Sequence, residues 1–254
     1  MTVTLSTEDR LQPAERPPDR PAGFQRWQQL LFLHWELDPE DVRVLLPAGL
    51  TLDLHDGRAY AGLVAFTMRD VVPWWSPPIP GVSHFHELNL RTYVTCRGEP
   101  GVWFFSLDAA NSLAVTVARA GWRLPYFKAA MEMDVSGDRI RYGSVRRWPE
   151  PLPAHFAASY RIGDSLGCAT PGSFEHFLVE RYLLFAQGQD GLLRRGQVHH
   201  RPYPMRDATV DALEHSMLHA AGLPQPDSAP HVLYSPGVDV DIYALAPVAA
   251  RDVA

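Results

Sequence analysis

Strand-length apolar runs separated by short turns follow one another from Gln28 to Tyr243, and helical periodicity is rare between them. Gln28 to Leu37 is a strand candidate whose centre, Leu30 to Trp35, is apolar on both parities apart from His34, as expected of a strand buried on both faces. Thr51–Leu54, the turn His55-Asp56-Gly57-Arg58 and a long run from Ala59 to Met68 read as a hairpin. His84–Cys96, Val102–Asp108, Lys128–Val135 and Arg139–Trp148 read as further strands, the last two joined by Ser136-Gly137-Asp138. Tyr182–Gln187, Leu192–His200 and Tyr234–Tyr243 complete the set.

Helices are short and carry end signals. Asp38 caps one that has Pro39 at its first position and stops by Pro47. Asn111 caps a second over Ser112–Ala120, ended by Gly121. Ser173 precedes a third at Phe174–Val179, and a fourth is expected around Val210–Ala220, ending at Gly222. Residues 73–81 hold four prolines and the pair Trp74-Trp75, so they form a loop that lies on the body, covers a groove or docks on a second subunit. The expected fold class is α+β and strand-dominated, a largely antiparallel sheet curled into a barrel with a few short helices.

Composition narrows the functional classes. With 46% hydrophobic residues the chain can bury a full core, and a net charge of -6 without a basic stripe argues against nucleic acid as partner. No apolar run reaches the roughly 18–20 residues of a membrane span, so no membrane partner is expected. Cys96 and Cys168 lack metal-ligand spacing, and reduced thiols in a cytoplasmic setting are the expectation. Residues 1–23 are rich in Pro, Arg, Glu and Asp and read as a flexible arm; 24–254 shows no linker and reads as a single domain.

Strand parity groups the candidate site residues. Glu87, Asn89, Arg91 and Tyr93 share one face of their strand, and Leu88, Leu90 and Val94 share the other. Facing solvent, such a ladder is unremarkable. Facing an interior, it sets an acid, an amide, a cation and a phenol in steps of about 6–7 Å, with Glu87 and Arg91 about 13 Å apart to hold two ends of a small ligand. Lys128 is the one lysine among the 23 Lys and Arg residues, and only an amine can be desolvated into a neutral nucleophile near neutral pH. It shares a face with Ala130, Glu132 and Asp134, which either points outward or lines a cavity. His84 and His86 form an H-x-H pair whose third ligand would have to come from His199 or His200; without a flanking carboxylate motif, ordinary polar histidines are expected, with no metal and no cofactor.

Five ordered stretches together are familiar: Phe85–Val94, Gly101–Ala109, Leu124-Pro125-Tyr126, Phe177–Tyr182 and Tyr234–Val240. In this order they resemble the YqjF-like family of bacterial domains of unknown function, which is similar in fold to acetoacetate decarboxylase. The resemblance implies a β-rich, cone-like barrel around a small-molecule cavity. In the decarboxylase a Phe-Pro-Lys-Lys segment supplies the Schiff-base lysine and the second lysine that lowers its pKa. Here Leu124-Pro125-Tyr126-Phe127 stands in that place and Lys128 follows, so acetoacetate decarboxylation is not expected. Glu87 falls where that superfamily has a strand glutamate in the cavity. The expected function is therefore to hold a small anionic or carbonyl-bearing molecule, with Arg91, Asn89, Tyr93 and Tyr126 as ligand-binding residues. In its catalytic form Lys128 is the nucleophile and Glu87 the acid/base. In the alternative form the protein is a non-catalytic binding or sensor domain, and either form allows a homo-oligomer.

Overall fold

The computed structural model describes residues 5–79, 82–111, 115, 124–149, 153–188 and 190–248. Among them thirteen strands share one hydrogen-bonded sheet. In chain order these are β1 (Gly23–Leu37), β2 (Thr51–Leu52), β3 (Ala59–Pro73), β4 (Phe85–Cys96), β5 (Glu99–Ala109), β6 (Tyr126–Ser136), β7 (Arg139–Trp148), β8 (His155–Gly167), β9 (Leu183–Gln187), β10 (Leu193–His200), β11 (Met205–His215), β12 (His231–Ile242) and β13 (Ala246–Pro247). The helices are α1 (Thr7–Leu11), α2 (Pro39–Arg43), α3 (Phe174–Val179) and α4 (Met217–Ala220). The fold is thus strand-dominated, as the sequence implies.

The sheet closes twice. Running β5-β6-β7-β8-β11-β12-β1-β3-β4, it returns to β5 through a β4–β5 pairing and makes a larger ring. Parallel pairing of β5 with β9, and antiparallel pairing of β10 with β9 and β12, closes a smaller ring over the same β12-β1-β3-β4-β5 wall. All other strand pairs except β5–β6 are antiparallel.

A wall shared by two rings has no solvent face, which explains the apolar character of β1 on both parities. Leu31, Leu33, Trp35 and Leu37 join Leu88, Leu90, Tyr142, Phe156 and Tyr160 in the core of the larger ring. Leu30 and Phe32 turn to the other side, where Phe66, Tyr93, Phe177, Leu178, Tyr203 and Leu233 form a second core.

Three local expectations need correction. Thr51–Leu52 pairs with Val94 and Thr95 of β4 rather than with β3, because both edges of β3 are taken by β1 and β4. The turn itself is present as the bridge His55–Arg58. Residues 205–215 form β11 against β8, and only Met217–Ala220 is helical, so long-range pairing overrides the helix expected at Val210–Ala220. β8 adds a strand beyond those expected: Phe156, Ala158 and Tyr160 alternate inward, although its alanines carry little strand preference. The helix expected at Ser112–Ala120 lies outside the described residues apart from Val115.

Residues 5–23, part of the segment expected to be a flexible arm, lie on the body. Ser6 and Asp9 form a reciprocal capping box on α1. Arg10 then donates to both oxygens of the buried Asp53 at 2.6 and 2.7 Å. Gln197 donates to the Pro13 carbonyl at 2.9 Å, and Arg16 meets Asp241 at 2.7 Å. Further on, Arg20 lies 3.4 Å over the ring of Trp74.

Candidate ligand site

The four residues grouped by parity on β4 are all buried. Leu88 and Leu90 point into the larger ring, while Glu87, Asn89, Arg91 and Tyr93 point into the second core, which settles the direction that parity alone leaves open.

Glu87 is only 2% exposed and accepts a hydrogen bond from the Tyr126 hydroxyl at 2.9 Å. Burial pushes its carboxyl up to about 8; the Tyr126 and Asn89 hydrogen bonds oppose the rise and the charge of Asp108 adds to it. Desolvation wins because an ion without a cation beside it loses more hydration than two hydrogen bonds return. Near neutral pH, Glu87 is therefore mostly a neutral acid able to donate a proton. The Tyr142 hydroxyl donates to its backbone carbonyl at 2.9 Å and fixes this part of the strand.

Two residues further, the side chain of Arg91 is buried at 8% exposure. Its Nη2 donates to the Leu178 carbonyl at 3.2 Å, and the Tyr93 hydroxyl donates to the same oxygen at 2.7 Å. Arg91 forms no salt bridge among the described residues, and its Nε has no hydrogen-bond partner. The surrounding groups do not supply a negative charge. Burial lowers His34 well below the usual imidazole range and brings His200 down to about 4, so both rings are neutral. Tyr93 and Tyr203 are raised, mainly by burial.

The other strongly buried arginines are ion-paired. Arg146 meets Asp108 through Nε at 3.0 Å and Nη2 at 2.7 Å. Arg181 meets Asp53 at 2.7 Å on the carboxylate that also holds Arg10. Burial works to raise Asp53, but the two guanidiniums outweigh it and hold the carboxyl below its ordinary value. Glu180 accepts from the Tyr182 hydroxyl at 2.5 Å and from the Tyr203 amide at 2.9 Å.

Lys128 does not join this set. It is exposed on β6, opposite Trp148 of β7 and beside a β-bulge between Lys128 and Ala129. Tyr126, at the start of the same strand, reaches Glu87 instead. The Lys128 side chain is exposed, apart from the buried ladder of β4. His84 and His86 do not act together either: His84 accepts from the Asp70 amide at 3.2 Å, while His86 is hydrogen-bonded to Thr67 at 3.0 Å. Among the described residues no three His, Cys, Asp or Glu side chains are placed to hold a metal ion.

The buried ion pairs and the position of His200 were not foreseen. Only His34 carried a signal, as the lone polar residue in the apolar run from Leu30 to Trp35.

Comparison with known proteins agrees with this architecture. The model of the DUF2071 family, whose description is "uncharacterized conserved protein", matches residues 24–239. The chain belongs to the DUF2071 family. The "Uncharacterized protein YqjF" of Bacillus subtilis (strain 168) is 37% identical over 221 residues, covering 87% of this chain and 90% of that protein. Among solved structures, an acetoacetate decarboxylase-like enzyme from Sphingomonas wittichii RW1 is similar with a TM-score of 0.59 at 12% identity, covering 91% of this chain and 95% of the other. The enduracididine biosynthesis enzyme MppR complexed with pyruvate reaches 0.60 at 12% identity, with 94% and 95% covered. The acetoacetate decarboxylase of Legionella pneumophila reaches 0.57 at 16% identity, with 93% and 92% covered. These likenesses establish the acetoacetate decarboxylase-like fold of the chain.

Proposed function

We propose that this DUF2071 protein binds a small carboxylate- or carbonyl-bearing molecule along the Glu87–Asn89–Arg91 ladder. The observation that carries the reading is the buried guanidinium of Arg91, which has no carboxylate partner among the described residues while the other strongly buried arginines, Arg146 and Arg181, each have one. A buried cation without a counter-charge is costly, and an anionic ligand removes the cost. Neutral Glu87 at the other end of the ladder is suited to donate a hydrogen bond, or a proton, to a ligand oxygen. MppR, similar in fold, is a structure complexed with pyruvate, which makes small oxo acids reasonable first probes. The reading contains no covalent step through Lys128. The free thiols Cys96 and Cys168 fit a reducing, cytoplasmic setting.

The test is ligand-dependent stabilisation of the full chain against heat, measured across a panel of two- to six-carbon carboxylates. A ligand present at about 100 times its Kd should add roughly 3 kcal/mol of stability. Arg91→Met should abolish the effect and Lys128→Gln should preserve it. A carboxylate shift that survives Arg91→Met defeats the assignment, and loss of binding in Lys128→Gln returns the lysine to the site.

A further inference from the structure

His34 of β1, Gly62 of β3 and Arg91 of β4 stand in one row of the sheet. Neighbouring strands are about 4.8 Å apart, so the Cα atoms of His34 and Arg91 are separated by roughly 10 Å with a residue that has no side chain between them. The glycine is required by what leans over it. A Cβ at position 62 would lie 3.0 Å from His34 Cδ2, 3.2 Å from His34 Nε2 and 3.3 Å from the Tyr93 hydroxyl. His34 is 2% exposed and stacks on Phe32 with the two rings inclined by 12°.

Neither ring nitrogen of His34 has a hydrogen-bond partner, although the side chain is almost wholly buried. Burial and the charge of Arg91 keep the imidazole neutral, so it carries one donor and one acceptor. In the adjoining row of β4, Asn89 bonds to Glu87 and leaves its Oδ1 without a partner. Arg91 Nε is open as well. The interior therefore presents two open donors, on Arg91 and His34, and two open acceptors, on His34 and Asn89. A carboxylate only accepts. It satisfies the guanidinium and one imidazole nitrogen at most, and leaves both acceptors without a proton.

We infer that the unpartnered polar atoms of His34, Asn89 and Arg91 select a hydroxy acid, its carboxylate on Arg91 and its hydroxyl between His34 and Asn89. The inference rests on the small-carboxylate reading above and narrows it to ligands that donate as well as accept. His34 is then a ligand-binding residue that sets specificity. The oxo counterpart of the same acid presents no O–H and leaves the two acceptors unpaired. A site built around a hydroxyl discriminates against an analogue that lacks it far more strongly than an apolar pocket does.

The experiment uses the full chain and matched sets of acids: lactate, pyruvate and propionate, and 3-hydroxybutyrate, acetoacetate and butyrate. Affinities are read by titration calorimetry, and the His34 ring nitrogens by 15N NMR. In at least one set the hydroxy acid should bind about 10-fold or more tightly than its two partners and should shift the His34 nitrogen signals. His34→Leu should bring the three affinities within about twofold of one another. His34→Gln, which keeps a donor and an acceptor, should restore part of the preference even if the leucine variant folds poorly. Equal binding of all three acids by the unaltered chain, or a preference that persists in both variants, overturns the inference while leaving the carboxylate site intact. Binding of none of the six, or binding indifferent to Arg91→Met, refutes the parent reading and this one with it.

Discussion

Stability should fall between about pH 6 and pH 9 because of Glu87, and Glu87→Gln should remove that part of the fall. Burial raises the carboxyl from 4.5 to about 8, so the folded chain holds a proton that the unfolded chain releases. The contribution is therefore fully favourable below the unfolded value, is lost as pH rises toward 8, and levels off above it. Relative to acid, the loss is about 2 kcal/mol at pH 6 and about 5 kcal/mol at pH 9, a difference of about 3 kcal/mol. Glutamine is close in shape, still accepts from Tyr126 and has nothing to ionise. The assay is urea unfolding of both proteins at several pH values in this window, followed by tryptophan fluorescence. Other buried carboxyls, among them Glu180, contribute to both curves, so the quantity of interest is the difference between the two proteins. Tyr126→Phe provides an independent check. It removes a donor that favours the ionised form, so the midpoint of the fall should move to higher pH. A difference between the unaltered chain and Glu87→Gln that stays flat from pH 6 to pH 9 would show that Glu87 is hydrated or paired, and the argument from desolvation would fail.

Other tests address the surrounding framework. Arg146→Met strands the buried carboxylate of Asp108 and should cost about 3–5 kcal/mol in equilibrium unfolding; a cost below 1 kcal/mol would mean that water replaces the guanidinium. Arg10→Ala removes the bidentate hold of α1 on Asp53 and should speed cleavage after Glu15 by a glutamate-specific endopeptidase while lowering stability by about 1–2 kcal/mol, with unchanged cleavage arguing that Gln197 and Asp241 suffice to anchor the segment. A thiol reagent should modify exposed Cys168 rapidly and buried Cys96 only on unfolding, and two equally fast reactions in the folded chain would contradict the placement of Cys96. Trp75 is 71% exposed beside half-exposed Trp74; if this loop joins two copies of the chain, sedimentation should show a dimer that Trp74→Ser with Trp75→Ser converts to monomer, and unaltered sedimentation would exclude the loop from such a contact.

The sequence by itself determined which residues keep company along a strand. Successive side chains alternate across any strand, so Glu87, Asn89, Arg91 and Tyr93 share a face whatever packs against it. The caps at Asp38 and Ser173 were equally legible, because an N-cap is a contact between a side chain and its own next turn. The run of β1, apolar on both parities, announced a strand covered on both sides. The tertiary structure alone decided what lay on each side. β4 belongs to two rings at once, and that sharing buries Glu87 and Arg91 and sets the protonation of the former. Lys128 looked chemically special in composition yet its side chain is exposed on β6, a strand of the larger ring alone, since exposure depends on what packs against a strand and not on rarity. His34, Gly62 and Arg91 are far apart in the chain and meet only through the register of three strands, a long-range pairing that no local pattern encodes. The same holds for α1: its cap is local, but the buried carboxylate that anchors it belongs to Asp53, which the sheet brings to the surface end of the N-terminal segment.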